Sequence, residues 1–264
     1  MTVRIMTYNI LDGGGDRLPL IRSVLQEQQP DVIVLQEVFD RDWVDALAAR
    51  LGMDSYFARG NNIRHVALLS RLPILSVQTH RAFPIRCAVL QAEIEFGRGD
   101  IVTIFGIHLA PYPAFYHELW RTLEVRLILR LALACKNRPH LILGDCNSIA
   151  SGDRVVWVES IPPFLRRMLA MQGWRVFHWA LRRMLRAGYT DSFRCLHRDL
   201  DGFTLPTPRP NARLDYIFAD PLMRERLTAC RVVTDGDAVH AASDHYPVLA
   251  EFANAPFVAG AEKH

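Results

Sequence analysis

Apolar residues in this chain alternate between two rhythms, one of period two and one close to period four. Val3, Ile5 and Thr7 alternate with Arg4, Met6 and Tyr8, which predicts a strand over 2–10 that runs out at Asn9. Asp12, three glycines and Asp16 then make a turn. Leu18, Ile21, Val24 and Leu25 have helical spacing closed by Pro30 and Asp31, and the apolar run 32–35 predicts a second strand ending at Gln36 and Glu37. Asp40 can cap a helix through 51. Strands follow over 66–69, 74–79, 88–94 and 101–107, short and tightly connected as in antiparallel neighbours, and the last runs out at His108. Leu119, Leu123, Leu127 and Leu131 recur every four residues and predict a long helix to about Lys136, with Arg121, Arg126 and Arg130 off that apolar stripe. Its end delivers the chain to the apolar run Leu141, Ile142, Leu143, where Gly144 is expected to take it out of the sheet and present Asp145 and Asn147.

The rhythm changes after Ser148. Pro162 and Pro163 predict the start of a helix that Gly173 stops, and a second, amphipathic helix is expected over 174–187. Trp174, Phe177, Leu181, Met184 and Leu185 fall on its apolar side, with Arg175, Arg182 and Arg186 opposite. Such helices suit either core packing or a lid or interfacial role. Strand character returns over 213–218, which carries Asp215, over 227–233, and in a last strand to Phe252 preceded by Ser243, Asp244 and His245. An aspartate inside such a strand needs a partner, and His245 is the candidate. The tail 254–264 is expected to fray.

Composition bounds the answer. A chain of 264 residues, 50% hydrophobic, can bury one large core and is read as a single α/β catalytic domain over 1–264, with a basic, aromatic insertion at about 151–188. Five dispersed cysteines without a C-x-x-C pair indicate neither a disulfide framework nor a thiolate zinc site. With no secretory pattern and no apolar run long enough to span a bilayer, a cytoplasmic location is expected. The glycines lack the lysine of a P-loop, and no G-x-G-x-x-G is present. Net charge is +3, but 154–188 holds seven arginines against Glu159, about +6, which leaves about −3 elsewhere. That asymmetry suggests a polyanionic partner or an anionic surface.

Asn9, Glu37, His108, Asp145, Asn147, Asp215, Asp244 and His245 all stand at or near predicted strand ends. Open α/β sheets build their sites there, so groups scattered along the chain can converge. Each alone has an ordinary explanation: an Asx turn for Asp145 and Asn147, an exposed strand end for Glu37, a structural imidazole for His108. Together they offer hard oxygen ligands, amides and two imidazoles, a set that suits Mg²⁺ or Mn²⁺ better than Zn²⁺. A carboxylate bonded to one ring nitrogen of His245 would fix its tautomer, and either this pair or Asp145 could act as the base.

Thr7 to Asn9, Pro30 to Glu37, Leu69 to Ile74, His108 with Leu109, Gly144 to Asn147, Arg213 to Ile217 and Ser243 to His245 match, in order, the motifs of one family. In them the chain resembles the endonuclease/exonuclease/phosphatase superfamily of DNase I-like proteins. The resemblance implies a four-layer α/β sandwich, two packed mixed β-sheets flanked by helices, and metal-dependent hydrolysis of a phosphate ester. It implies Glu37 as the main metal carboxylate with Asn9 and Asp244 near the same ion. Asp145 and Asn147 would position water and phosphate, Asp215 would orient His245, and His108 would be a second phosphate-facing histidine. The expected substrate is first a nucleic acid, because basic surface raises affinity for a polyanion. The alternative is a phospholipid or small phosphoester met at an anionic membrane through 154–188, and a third is a catalytically silent binding module.

Overall fold

The computed structural model describes residues 2–97, 99–156 and 162–254. Twelve strands are found among them: β1 (Thr2–Asn9), β2 (Val32–Val38), β3 (Asp54–Ala58), β4 (His65–Ser70), β5 (Ile74–His80), β6 (Val89–Gly97), β7 (Asp100–His108), β8 (His140–Asp145), β9 (Thr190–Asp191), β10 (Asp215–Ala219), β11 (Leu227–Val232) and β12 (Val248–Ala253). The α-helices are α1 (Leu18–Gln28), α2 (Arg41–Leu51), α3 (Phe115–Ala132), α4 (Pro163–Met171), α5 (Trp179–Arg186), α6 (Ser192–Leu196), α7 (Pro221–Arg226) and α8 (Asp237–Ala242). They build two six-stranded sheets, ordered β11-β12-β1-β2-β4-β3 and β5-β6-β7-β8-β10-β9. Each contains one parallel pair, β1 with β2 and β7 with β8, among antiparallel neighbours.

The central strands are buried on both faces, so they read as continuous apolar runs. In β2, Val32 and Val34 face the other sheet while Ile33 and Leu35 face helices, and in β8 Leu141 and Leu143 point inward and Ile142 outward. The inner cluster joins the two sheets, α1, α2 and α8 cover the outside of the first, and α3 and α5 cover the second. The result is the expected four-layer sandwich. Asp40 caps α2 by accepting from the Asp42 N–H at 3.0 Å.

Three local expectations are revised. First, Gly144 does not end β8, which continues to Asp145; a Cβ there would lie 1.9 Å from the Ile107 carbonyl oxygen, so close approach of β7 explains the glycine. Second, only the later half of the leucine stripe of α3 meets the core: Leu127 and Leu131 pack partly buried against it, Leu119 and Leu123 are 48% and 43% exposed, and Glu118, Arg121, Glu124, Val125, Ile128 and Ala132 are buried. The polar members of that face are bonded to loops around the site, which makes their burial tolerable. Third, the second helix after Ser148 starts at Trp179 rather than 174, because Gly173 and Trp174 take positive φ of 64° and 56° and turn the chain first. Residues 157–161 of the basic insertion and most of the tail expected to fray lie outside the described residues.

The segment between β8 and β9 is held at its base by Arg213, which is 1% exposed. Its Nε donates to Asp153 at 2.9 Å, and its two terminal nitrogens donate to Asp191 at 2.9 and 2.6 Å. The guanidinium lies 4.4 Å from the centroid of the Tyr216 ring. One buried cation therefore joins the point where the segment departs to the point where it returns.

Candidate active site

The pairing register brings the strand ends together before any side chain is considered. His108 is opposite Asp145 in the parallel β7–β8 ladder, and Asp145 is opposite Asp215 in the antiparallel β8–β10 ladder. In the other sheet β1 ends at Asn9 beside the end of β2. The loop before β12 is tied to β1 by the Ser243 hydroxyl, which donates to the Asn9 carbonyl at 2.7 Å. Glu37 sits in a bulge where β2 slips against β4 between Gln36 and Val38, and its φ is 61°. A positive φ in a non-glycine residue is strained, and here it re-aims a carboxylate out of the ladder toward the other sheet.

Asp145 is the hub. It is 1% exposed, and its Oδ2 accepts from the Asn9 amide at 2.9 Å and the Asn147 amide at 3.2 Å, while Oδ1 accepts from the Asn147 N–H at 2.8 Å. Two imidazole nitrogens approach the same Oδ2, His108 Nε2 at 3.6 Å and His245 Nε2 at 3.9 Å. Burial raises the Asp145 carboxyl above the ordinary range, opposed by the charge of His245. Asn147, with φ of 47°, turns its amide back toward Asp145 and the Leu109 carbonyl, 3.1 Å away. It braces the hub as much as it faces the cavity.

His245 is 5% exposed, and its Nδ1 lies 2.8 Å from Asp215. Burial alone would lower its pKa, but the charges of Asp215 and Asp145 outweigh it and hold the ring up to about 10. His108 is likewise raised to about 9 against its burial, by the Cys87 sulfur 3.7 Å from Nδ1 and by Asp145 and Glu37. Both rings are therefore biased toward the cationic form. Glu37 behaves oppositely. Burial would raise it, yet His108, the Asp12 N–H at 3.0 Å and Arg64 at 2.9 Å bring it down to about 2.

Oxygen donors for a cation are present. Glu37 is ionised, and the half-buried Asp244 carboxyl is raised by burial and by the like charge of Glu37, a repulsion that a divalent ion would relieve. Asp215 Oδ1 is a buried oxygen without a hydrogen-bond partner among the described residues. Asp145, Asp215 and His245 also offer ligand atoms within 4.8 Å of one another. In that trio the His245 Nδ1 is already engaged by Asp215, and a protonated imidazole has no lone pair for a metal. Glu37 and Asp244, with Asn9 adjacent, therefore fit a hard cation better.

Glu37, His108, Asp145, Asn147, Asp244 and His245 floor a cavity of about 640 Å³. Its rim carries Asn62, Arg64 and Arg86, and one wall is apolar: Leu165, Leu169, Val176 and Phe177 from the segment after β8, with Tyr112 and Ile149. Within that segment Phe177 lines the cavity, while Phe164, half exposed, packs edge-on against Tyr112, 5.7 Å between ring centroids. Sequence reasoning missed Arg64, whose position just before β4 places it beside the bulge in β2. It also missed Glu124, whose carboxylate accepts from the Arg86 and Ala110 N–H groups at 3.0 and 2.9 Å and is raised to about 7 by burial. A polar residue off an apolar stripe gives no signal of such a role.

Two sheets meeting at their strand ends over buried acids and imidazoliums form the architecture of a metal-dependent phosphoester hydrolase of the nuclease type, and comparison with known proteins narrows the class. The model of the endonuclease/exonuclease/phosphatase family matches residues 6–245, and the chain belongs to that family. It is 26% identical to exodeoxyribonuclease III of Haemophilus influenzae, over 95% of this chain and 100% of that protein. The 3'-5' exonuclease from Neisseria meningitidis superposes with a TM-score of 0.73 at 25% identity, over 95% of this chain and 99% of that one. An AP endonuclease from Archaeoglobus fulgidus shares the fold, with a TM-score of 0.70 at 22% identity over the same shares.

Proposed function

We propose that the chain acts as one catalytic unit, a Mg²⁺- or Mn²⁺-dependent phosphodiesterase with nucleic acid as its substrate. The nucleic-acid assignment is supported by the similarity to exodeoxyribonuclease III and to the 3'-5' exonuclease. The observation that carries the chemistry is the geometry around Asp145: one buried carboxylate whose Oδ2 has His108 Nε2 at 3.6 Å and His245 Nε2 at 3.9 Å. A divalent cation held by Glu37, Asp244 and Asn9 would neutralise charge on the phosphoryl oxygens. Asp145, braced by Asn9 and Asn147, takes a proton from the attacking water as the phosphorus–oxygen bond forms. His245, held by Asp215 at Nδ1 and biased toward its cationic form, serves as a donor to a phosphoryl oxygen, which leaves Asp145 as the base. His108 donates its proton to the departing oxygen as the second phosphorus–oxygen bond breaks. Asp215 keeps His245 oriented and charged. Five free cysteines, four of them buried, suit a reducing compartment such as the cytoplasm.

Hydrolysis of single- and double-stranded DNA and RNA with Mg²⁺ or Mn²⁺ tests this reading. Activity that disappears on chelation and in Glu37→Ala and Asp145→Ala supports it; equal cleavage by either variant rejects the site.

A second reading has its own observation. The apolar wall of Leu165, Leu169, Val176 and Phe177 is of little use to a nucleic-acid backbone, and it suits a phosphodiester bearing an apolar group, as in a phospholipid. Phospholipid hydrolysis with no nucleic-acid cleavage would select it.

A further inference from the structure

The exposed side of the same segment carries a second signal. On α4, Phe164, Arg167 and Met171 are spaced i, i+3 and i+7, which places them on one stripe, and Phe164 and Met171 are 50% and 82% exposed. That stripe continues onto the start of α3. Phe164 meets Tyr112, the Phe115 N–H donates to the Gln172 side chain at 3.0 Å, and the Phe115 ring contacts Tyr116. Tyr112, Phe115 and Tyr116 are all about half exposed. Arg166 and Arg167 on α4 and Arg175 just after it are exposed, as are Arg182, Arg183 and Arg186 on α5. Apolar residues that a folded protein leaves on one continuous surface mark a contact, and arginines beside them choose its charge.

We propose that this face, formed by α4 and the start of α3, docks on an anionic phospholipid bilayer and brings the cavity mouth to the lipid headgroups. Methionine and leucine offer no ring face on which a nucleic-acid base could stack, so Met171 and the exposed Leu119 favour an acyl region over a nucleic acid. Arg166 and Arg167 share α4 with Phe164 and Met171, and long basic side chains beside an apolar stripe suit headgroup phosphates. The inner side of α4 supplies Leu165 and Leu169 to the cavity wall, so one helix faces the membrane and the substrate cavity. No helix among the described residues is long and apolar enough to cross a membrane, so the contact is peripheral. The inference deepens the lipid reading, but its test does not depend on turnover.

The test is sedimentation of the full chain with vesicles of phosphatidylcholine alone or mixed with phosphatidylglycerol. The wild type should partition onto the mixed vesicles, and salt should weaken that partitioning. It should fall about tenfold or more in Phe164→Glu/Met171→Glu and in Arg166→Glu/Arg167→Glu, both with unchanged melting curves. The first pair lies outside the cavity and should hydrolyse a soluble phosphodiester at the wild-type rate. Absence of partitioning, or equal partitioning by both double variants, overturns the proposal. So does loss of oligonucleotide binding in the arginine variant while vesicle binding persists. Glu37→Ala should still sediment with the vesicles, so an inactive wild type that binds them would defeat the catalytic reading alone.

Discussion

The floor of the cavity and the segment that walls it are built on opposite principles. The floor is assembled from strand ends of both sheets, five of its eight members, Asn9, His108, Asp145, Asp215 and His245, are buried, and most are fixed by a partner in another element. Apart from Tyr112, the wall comes from a single stretch of chain whose helix α4 has one buried residue, Leu169, and whose other side is apolar and exposed. Rigid strand ends hold reacting groups in place, which suits chemistry that tolerates little displacement. A peripheral segment attached at a narrow base can change its side chains without disturbing them, which suits selection among substrates.

The sharpest way to break this division is at the floor. Glu37→Ala or Asp145→Ala should lower kcat by about 10³-fold or more while far-ultraviolet circular dichroism stays native, because each removes charge placement that water cannot replace. An effect of tenfold or less would mean that the chemistry resides elsewhere. Next in size is the joint between the regions. Arg213→Met leaves Asp191 buried without its cation and Asp153 with Arg194 alone, and should cost about 3–5 kcal/mol in urea unfolding. A loss below about 1 kcal/mol would show that the wall does not depend on this base.

A smaller effect separates orientation from chemistry. Asp215→Asn should lower kcat by about 10²-fold with little change in KM, because His245 loses the partner that sets its tautomer and charge. The same variant tests a pH dependence. His108 and His245 have folded pKa values of about 9 and about 10 against an ordinary 6.5. Each contributes stability that is complete below pH 6.5 and is lost as pH rises through its folded value. The thermal midpoint of the metal-free protein should therefore fall as pH rises from neutral through 9 and 10, and Asp215→Asn should flatten that fall. A wild-type midpoint that does not move over that range would contradict the charged histidines. The smallest expected change belongs to the wall: Leu165→Asn should raise KM for a phosphodiester with an apolar group by about tenfold and leave a small soluble one untouched. Equal changes for both would make the wall part of the floor.

How much was legible beforehand follows the same division. The floor residues could be found because each interrupts or ends an apolar run, and the runs are long since their strands are covered on both faces. The bulge at Glu37 left no mark, since a backbone φ is not written in a periodicity. Strand β3 and helices α6, α7 and α8 were too short to show a period. Helix α3 was read from its leucines, and the true inner face was hidden because Glu118, Arg121 and Glu124 are satisfied there by groups distant in sequence. Glu118 accepts from the Ala180 N–H at 2.8 Å and from Arg121 at 2.8 Å, and Arg121 donates to the Ala110 carbonyl at 2.7 Å. A buried polar residue looks like a surface one until its partners are known.

The Arg213 clamp also bears on how such a protein can diversify. Asp153 and Asp191 are gripped by one guanidinium, so the span between them begins and ends at a point the rest of the molecule holds shut. Closing a longer span there adds free energy only as the logarithm of its length. Insertions, deletions or wholesale replacement between those two aspartates would be felt weakly at Asp145 and His245. The clamp works as a socket, and a lineage carrying it can exchange what is plugged in while inheriting the hydrolytic machinery unchanged.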